Sequence, residues 1–416
     1  MLNKLKPKSE FSRNVLTLMT GTTIAQAIPI AISPILTRLY TPEDFGALAL
    51  FIGIVSIMAV LTTAKYELSI ILPKRNSTGY QLVCLSLMLS LMVSLFYMVA
   101  MVGINTIYQF SYIYYLLPVT VLFIAFNNVF DRYNNRIKNY KLMSSQRVIK
   151  TTVESIVSIA LITLLSVKTG LIFGFILGYF ISSLTMLYIN FKSFKAKKLK
   201  PSLSKMKALA RRYINFPKYS MPHTFLNTLS ANIPIFLIPF FYGSYTLGLY
   251  AFGLKIIQAP LSLISASIFN VLGQKMAEEH AQGREIKTLF VATVKKLIIF
   301  TIPMIPVFIF IDDIFAFVFG EEWRVAGEYI QILAPWLLFV FVVSPFANIP
   351  HIYNQQKKAF ILEIMYTLVR ILPFVIGAGI LNMPLKEVLV IYVVLAILLL
   401  IYGFNWYYSL ASGVKK

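Results

Sequence analysis

Three scarcities bound this 416-residue chain before any motif is read. It has one cysteine, Cys84, set inside an apolar run, which excludes an internal disulfide and disfavours a cysteine-built metal site. Acidic residues number 16 against 38 Lys and Arg, and charged residues make up only 13% of the chain. That is well below the roughly 25% of a soluble domain. Walker motifs, His/Glu metal spacings and nucleophile elbows are missing, which argues against ATP-driven pumping and hydrolytic chemistry.

Apolar length is what the chain has instead: 58% of residues are hydrophobic and the mean hydropathy is +0.75. Runs of roughly 20 apolar residues, enough to cross a hydrocarbon core as a helix, recur at 15–39, 46–64, 80–102, 112–130, 149–166, 170–190, 219–241, 247–272, 289–311, 329–350, 359–380 and 388–410. The expectation is an all-α integral membrane protein of about twelve spans, since the runs are too continuous for alternating membrane strands. The start, MLNKLKPKSEFSR, has the charge of a signal peptide, but the apolar region after it is long and leads directly into further spans, so it reads as an uncleaved first helix.

The formal charge of +22 raises the question of nucleic acid, which the placement of the charge answers. Lys4, Lys6, Lys8 and Arg13 precede helix 1; Lys74 and Arg75 follow helix 2; Arg132, Arg136, Lys138, Lys141, Arg147 and Lys150 follow helix 4. The segment FKSFKAKKLKPSLSKMKALARRYINFPK, 191–218, carries ten Lys and Arg and no acid. Lys275, Arg284 and Lys287 follow helix 8, Lys357 and Lys358 helix 10, and Lys415 and Lys416 end the chain. The intervening loops are nearly free of bases, and DDIFAFVFGEEWRVAGE after helix 9 has Asp312, Asp313, Glu321, Glu322 and Glu328 against Arg324 alone. The positive-inside rule then places both termini and the even-numbered loops in the cytoplasm. Spread over many short loops, the bases serve topology and attraction to anionic headgroups, not nucleic acid.

The basic segment 191–218 separates six spans from six, giving expected domains of 1–190 and 219–416 around a cytoplasmic linker. IPIAISP, with Pro29 and Pro34, recurs as IPIFLIP, with Pro234 and Pro239, and LYTPEDFGALAL is echoed by FYGSYTLGLYAF, aligning Tyr40 with Tyr242 and Gly46 with Gly248. YNNRIKNY (133–140) and YNQQKKAF (353–360) form a fainter pair. Three matches in order imply a parallel repeat of two six-helix bundles. The four prolines then mark the equivalent first helices, either as bends that open and shut a mouth or as static kinks. Arg38 has no basic counterpart in the second copy, so the RLYTPEDFG turn is assigned to the N-terminal bundle alone.

A helix ending in RLYTPEDFG, twelve spans in two halves, a basic central segment and an NNRIKNYK turn after helix 4 together resemble the Wzx-type flippases of bacterial polysaccharide repeat units. These belong to the multidrug, oligosaccharidyl-lipid and polysaccharide exporter superfamily. The resemblance implies movement of undecaprenyl-diphosphate-linked oligosaccharide across the bacterial inner membrane for O-antigen or exopolysaccharide synthesis. It also implies a V-shaped pair of bundles, alternating access, and a cationic cavity suited to pyrophosphate. A polysaccharide polymerase and a chain-length regulator are implied partners, with no cofactor beyond coupling H⁺ or Na⁺.

Ionisable residues deep in a span are candidates for function by default. Lys255 lies about eight residues, or roughly 12 Å, from the outer end of helix 8, and Arg370 lies near the middle of helix 11. A cation facing a water-filled cavity attracts pyrophosphate, and Arg binds phosphate oxygens bidentately; for Arg370 an ion pair with Glu363 is the competing role. Arg38 is either an outer-mouth contact or a clamp on Glu43 and Asp44. Lys65 and Glu67 form a gate pair at the inner end of helix 2 or simply end the span. Gln26, Asn227 and Asn232 either bind sugar hydroxyls or stitch helices together, and Glu154 and His223 are candidates for ion coupling. Two other classes compete: a cation-coupled multidrug exporter, for which acidic cavity residues are expected, and a membrane polysaccharide polymerase, which needs a larger outer loop than the 17-residue stretch 312–328.

Overall fold

The computed structural model describes residues 10–105, 111–282, 284–353 and 355–413. Lys4, Lys6, Lys8, Lys415 and Lys416, together with Asn354 of the second echo, lie outside them. The described residues form the helices α1 (Glu10–Leu39), α2 (Pro42–Thr62), α3 (Asn76–Asn105), α4 (Leu117–Arg136), α5 (Tyr140–Leu165), α6 (Gly170–Ala196) and α7 (Leu203–Arg212). They continue as α8 (Met221–Ala281), α9 (Lys287–Thr301), α10 (Met304–Ile309), α11 (Ile311–Phe319), α12 (Arg324–Val343), α13 (Ile349–Ile352), α14 (Gln356–Leu372) and α15 (Leu385–Ala411).

Ten stretches among the described residues are long and apolar enough to cross a membrane. One of them, Phe216–Ser265, is 50 residues long, about two spans, and its helix breaks at Gly243, whose φ of 83° favours glycine. The expected span 289–311 is missing from the ten because α9 ends at Thr301, just before Pro303. With the long stretch read as two crossings and the broken one as a single crossing, the architecture is an all-α membrane protein of about twelve helices.

By internal contacts the chain forms two units, Met1–Tyr40 with Ala47–Leu229, and Thr41–Gly46 with Ser230–Lys416. This corrects two sequence expectations. The basic segment 191–218 is not a separate linker: α6 runs on to Ala196, and α7 buries Met206 and Leu209 in the first unit. The Tyr66 hydroxyl, its pKa raised by burial, donates to the Ala210 carbonyl at 3.0 Å, and Gln81 bonds both the Lys200 carbonyl and the Ser202 amide. The turn TPEDFG, in turn, belongs to the second unit and not to the N-terminal bundle.

Within the first unit the spans are packed by small and polar residues. On α3, Ser86, Ser90 and Ser94 recur every four residues on the buried face, while Met92, Leu95, Phe96 and Val99 are exposed. Such inversion follows from lipid being as apolar as leucine, so helices associate through close packing and hydrogen bonds. The Ser182 hydroxyl on α6 donates to Asn127 Oδ1 on α4 at 2.7 Å, and Gly174 and Gly178 let α6 approach the Glu154 and Lys150 carbonyls of α5. In α1, the carbonyl of Ile30, deprived of its amide partner by Pro34, accepts from the Ser33 hydroxyl at 2.6 Å.

In the second unit, Thr41 donates through its amide and its hydroxyl to Asp44 Oδ2, each at 3.0 Å, which closes the turn that starts α2. Phe45 then inserts beside Phe252 and Trp323, each with ring centroids at 5.1 Å. A methyl on Gly46 would strike the Ser244 carbonyl, and one on Gly248 would strike the Pro42 carbonyl. Pro42 stands four residues before Gly46 as Ser244 does before Gly248, so the contact is reciprocal. The aligned tyrosines also match: Tyr40 donates to the Ser158 carbonyl at 2.6 Å in the first unit, and Tyr242 to the Met383 carbonyl at 2.7 Å in the second.

Candidate functional site

The second unit holds two adjoining cavities that share Trp336, Val340 and Ser344 of α12 and the turn after it. The first, about 230 Å³, is polar and aromatic, with Glu363, Tyr366 and Arg370 from α14 and Tyr392 and Tyr407 from α15. The second, about 340 Å³, is mostly apolar, lined by Leu261 and Phe269 of α8 and Leu337 and Phe341 of α12, with Gln258, Ser262 and Ser265 as its polar edge.

Arg370 is held at the polar end. Its Nη1 donates to Ser230 Oγ on α8 at 2.5 Å and lies 3.5 Å from Glu363 Oε1, and Tyr392 of α15 lines the same cavity. Thr367 places its hydroxyl 2.9 Å from the same Ser230 oxygen. The arginine therefore joins α14 to α8 and still has 23% of its side chain exposed, with Glu363 at 38%. Arg370 thus pairs with Glu363 and also lines the polar cavity.

Lys255 is exposed and has no ion-pair or hydrogen-bond partner among the described residues. Gln258, Ser262, Ser265 and Phe269 follow it at steps of three and four, so Lys255 stands at the end of the α8 face that lines the apolar cavity. That polar stripe is legible in the sequence as a spacing of three and four. Trp336, Tyr366, Tyr392 and Tyr407 left no such trace, because aromatic residues are abundant throughout the spans.

The remaining candidates are not gathered here. Arg38 is exposed and forms no ion pair among the described residues; the turn it was expected to clamp is closed by Asp44 instead. Lys65 and Glu67 do pair, at 3.6 Å, and Glu67, 4% exposed, also accepts a short hydrogen bond from Thr63, so that carboxylate is buried and partnered. They lie in the first unit, after a left-handed bend at Ala64 and Lys65. Gln26 is half-buried, and its Oε1 is buried without a partner among the described residues. His223 and Asn227 are exposed on α8, and Asn232 is half-buried and partnered. Glu154 is matched with Lys150 at 3.4 Å, and that ammonium sits 4.3 Å over the Tyr179 ring. Lys150 and Arg147, read as loop bases, are residues of α5, where Arg147 donates to Thr22 of α1 at 2.6 Å and pairs with Asp131 of α4 at 3.3 Å. Pro29 and Pro34 lie within α1, and Pro234 and Pro239 within α8.

A family profile described as polysaccharide biosynthesis protein matches residues 35–328, well over half of the chain. The chain belongs to this family. A search of the curated proteins finds no match. Among solved structures, an inward-facing multidrug resistance MATE transporter of the MOP superfamily is similar with a TM-score of 0.71 and 17% identity over 95% of each chain. The lipid II flippase MurJ in an inward closed conformation gives a TM-score of 0.69 at 14% identity, covering 94% of this chain and 87% of that one. A MOP superfamily transporter from Pyrococcus furiosus gives 0.63 at 16% identity, covering 97% and 96%. This member of the polysaccharide biosynthesis family thus has the fold of membrane transporters and a lipid flippase.

Proposed function

We propose that the chain flips undecaprenyl-diphosphate-linked oligosaccharide repeat units from the cytoplasmic to the outer leaflet of the bacterial inner membrane, for O-antigen or exopolysaccharide synthesis, by alternating access. Lys255 carries the reading. It is an ammonium without an ion-pair partner among the described residues, at the end of a polar stripe beside an apolar cavity, in a member of the polysaccharide biosynthesis family. An ammonium in low dielectric attracts a pyrophosphate strongly, and serines and an amide can hydrogen-bond sugar hydroxyls. In this proposal both termini are cytoplasmic, H⁺ or Na⁺ drives the cycle, and a polymerase and chain-length regulator receive the product.

The test is complementation of a strain lacking its repeat-unit flippase. Lys255→Ala and Lys255→Glu are expected to abolish surface polysaccharide while membrane levels of the protein stay normal. Full polysaccharide with Lys255→Glu would overturn the cationic-cavity account. A cation-coupled drug exporter is favoured by one observation, the carboxylate of Glu363 among four aromatic rings. Its pairing with Arg370 already neutralises that charge, and drug sensitivity of the same strains separates the two readings.

A further inference from the structure

The basic segment after α6 is fixed in place, and the fixing exposes an unexpected face. At roughly 100° per residue, Met206 and Leu209 of α7 point one way, into the first unit, whereas Leu203 and Ile214 fall on a stripe about a quarter-turn round. Leu203 is 70% exposed and Ile214, just past the helix end, 51%, with half-buried Ala210 between them. Lys207 and Arg211 border this stripe on the side away from the buried face, and Arg212 and Lys205 lie further round. All four cations are exposed, and none of the ten Lys and Arg in 191–218 pairs with a carboxylate among the described residues. The bonds from Gln81, near the start of α3, set α7 at the level where α3 begins and α6 ends.

A helix with a buried face, an exposed apolar stripe at right angles to it and cations beyond that stripe fits a corner between protein and bilayer. We infer that α7 lies along the membrane surface, dipping Leu203 and Ile214 among the acyl chains, and that Lys207 and Arg211 bind the headgroups of anionic phospholipid. The lipid is anionic because a segment with ten bases and no acid gains little from zwitterionic headgroups and much more from a negatively charged surface. This interaction is independent of what the chain transports.

Spin labels on single cysteines in the full-length Cys84→Ala protein, reconstituted in phosphatidylglycerol-containing vesicles, test it. Labels at Leu203→Cys and Ile214→Cys should collide with oxygen several-fold more than with a water-soluble nickel chelate, and a label at Lys205→Cys should do the reverse. Nickel access at 203 and 214 equal to that at 205 would overturn the inference, as would shielding from both reagents, which would mean a protein neighbour. In vesicles of mixed phosphatidylglycerol and phosphatidylcholine, a spin-labelled phosphatidylglycerol should show a motionally restricted fraction beside the protein that falls several-fold once Lys207→Gln and Arg211→Gln are introduced, with the depth at 203 and 214 unchanged. An unchanged restricted fraction would sink the anionic part.

Discussion

Single residues carry the most specific chemistry in this chain. Gly46 and Gly248 matter for the atom they lack, since a methyl at either would meet a carbonyl oxygen of the opposing turn. Overpacking of this kind typically costs about 1–3 kcal/mol. Gly248→Ala should therefore lower the unfolding temperature in detergent, whereas Gly103→Ala, in helix α3 with nothing within 4 Å, should hold or raise it. Arg370 is the second case. Arg370→Ala leaves Glu363 without its cation and removes one of the two donors to Ser230, and hydrogen bonds to charged groups are worth about 1.5–3 kcal/mol each, less here because both side chains are partly exposed. Glu363→Gln keeps the shape and should cost less. If the two substitutions measured by thermal unfolding were simply additive, the pairing would be without energetic weight.

At the scale of the element, proline and hydroxyl act as a unit. The Ser33 hydroxyl meets the carbonyl that Pro34 leaves open, so Ser33→Ala should cost about 1 kcal/mol. In a Pro34→Ala background, where the backbone amide returns, the same change should cost little; the coupling is read from a thermal double-mutant cycle. Apolar run length made the spans legible, and repeated motifs made the matching of helices legible. What escaped was helix that continues into polar surroundings. α4 runs to Arg136 and α5 begins at Tyr140, so bases assigned to a loop are helical, and α11 covers the DDIFAFVF taken for loop. Hydropathy reports contact with lipid, and a helix in the headgroup region has none to report. At the site, Lys255 and Arg370 were visible because lone charges in spans are conspicuous. Ser230, Tyr392 and Trp336 were not, because which faces of three distant helices converge is decided by packing.

For the molecule as a whole, the same sequence features that predict span number also predict orientation, and these are separable. Span number depends on apolar length, whereas orientation depends on where Lys and Arg sit. The long helix α8 sharpens the argument. From Gly243 to Ala281 it has 38 steps, roughly 57 Å at 1.5 Å per residue, nearly twice a hydrocarbon core of about 30 Å. If Gly243 lies near one membrane surface, the end of α8 must stand well clear of the other, carrying Lys275 with it. α9 begins close to that end and must return over a similar distance, which brings Lys295 and Lys296 to the headgroup level instead of the bilayer centre. Two exposed lysines inside an expected span, 289–311, thereby become ordinary interfacial anchors on the basic side. Fusions of alkaline phosphatase and green fluorescent protein check both claims. Joined after residue 200 or residue 283, only the fluorescent reporter should be active, and joined at residue 320, beside the turn where Arg324 pairs with Asp313 and Glu321, only the phosphatase should be. Phosphatase activity at 283 would invert the second unit and overturn the cytoplasmic C-terminus of the proposed function.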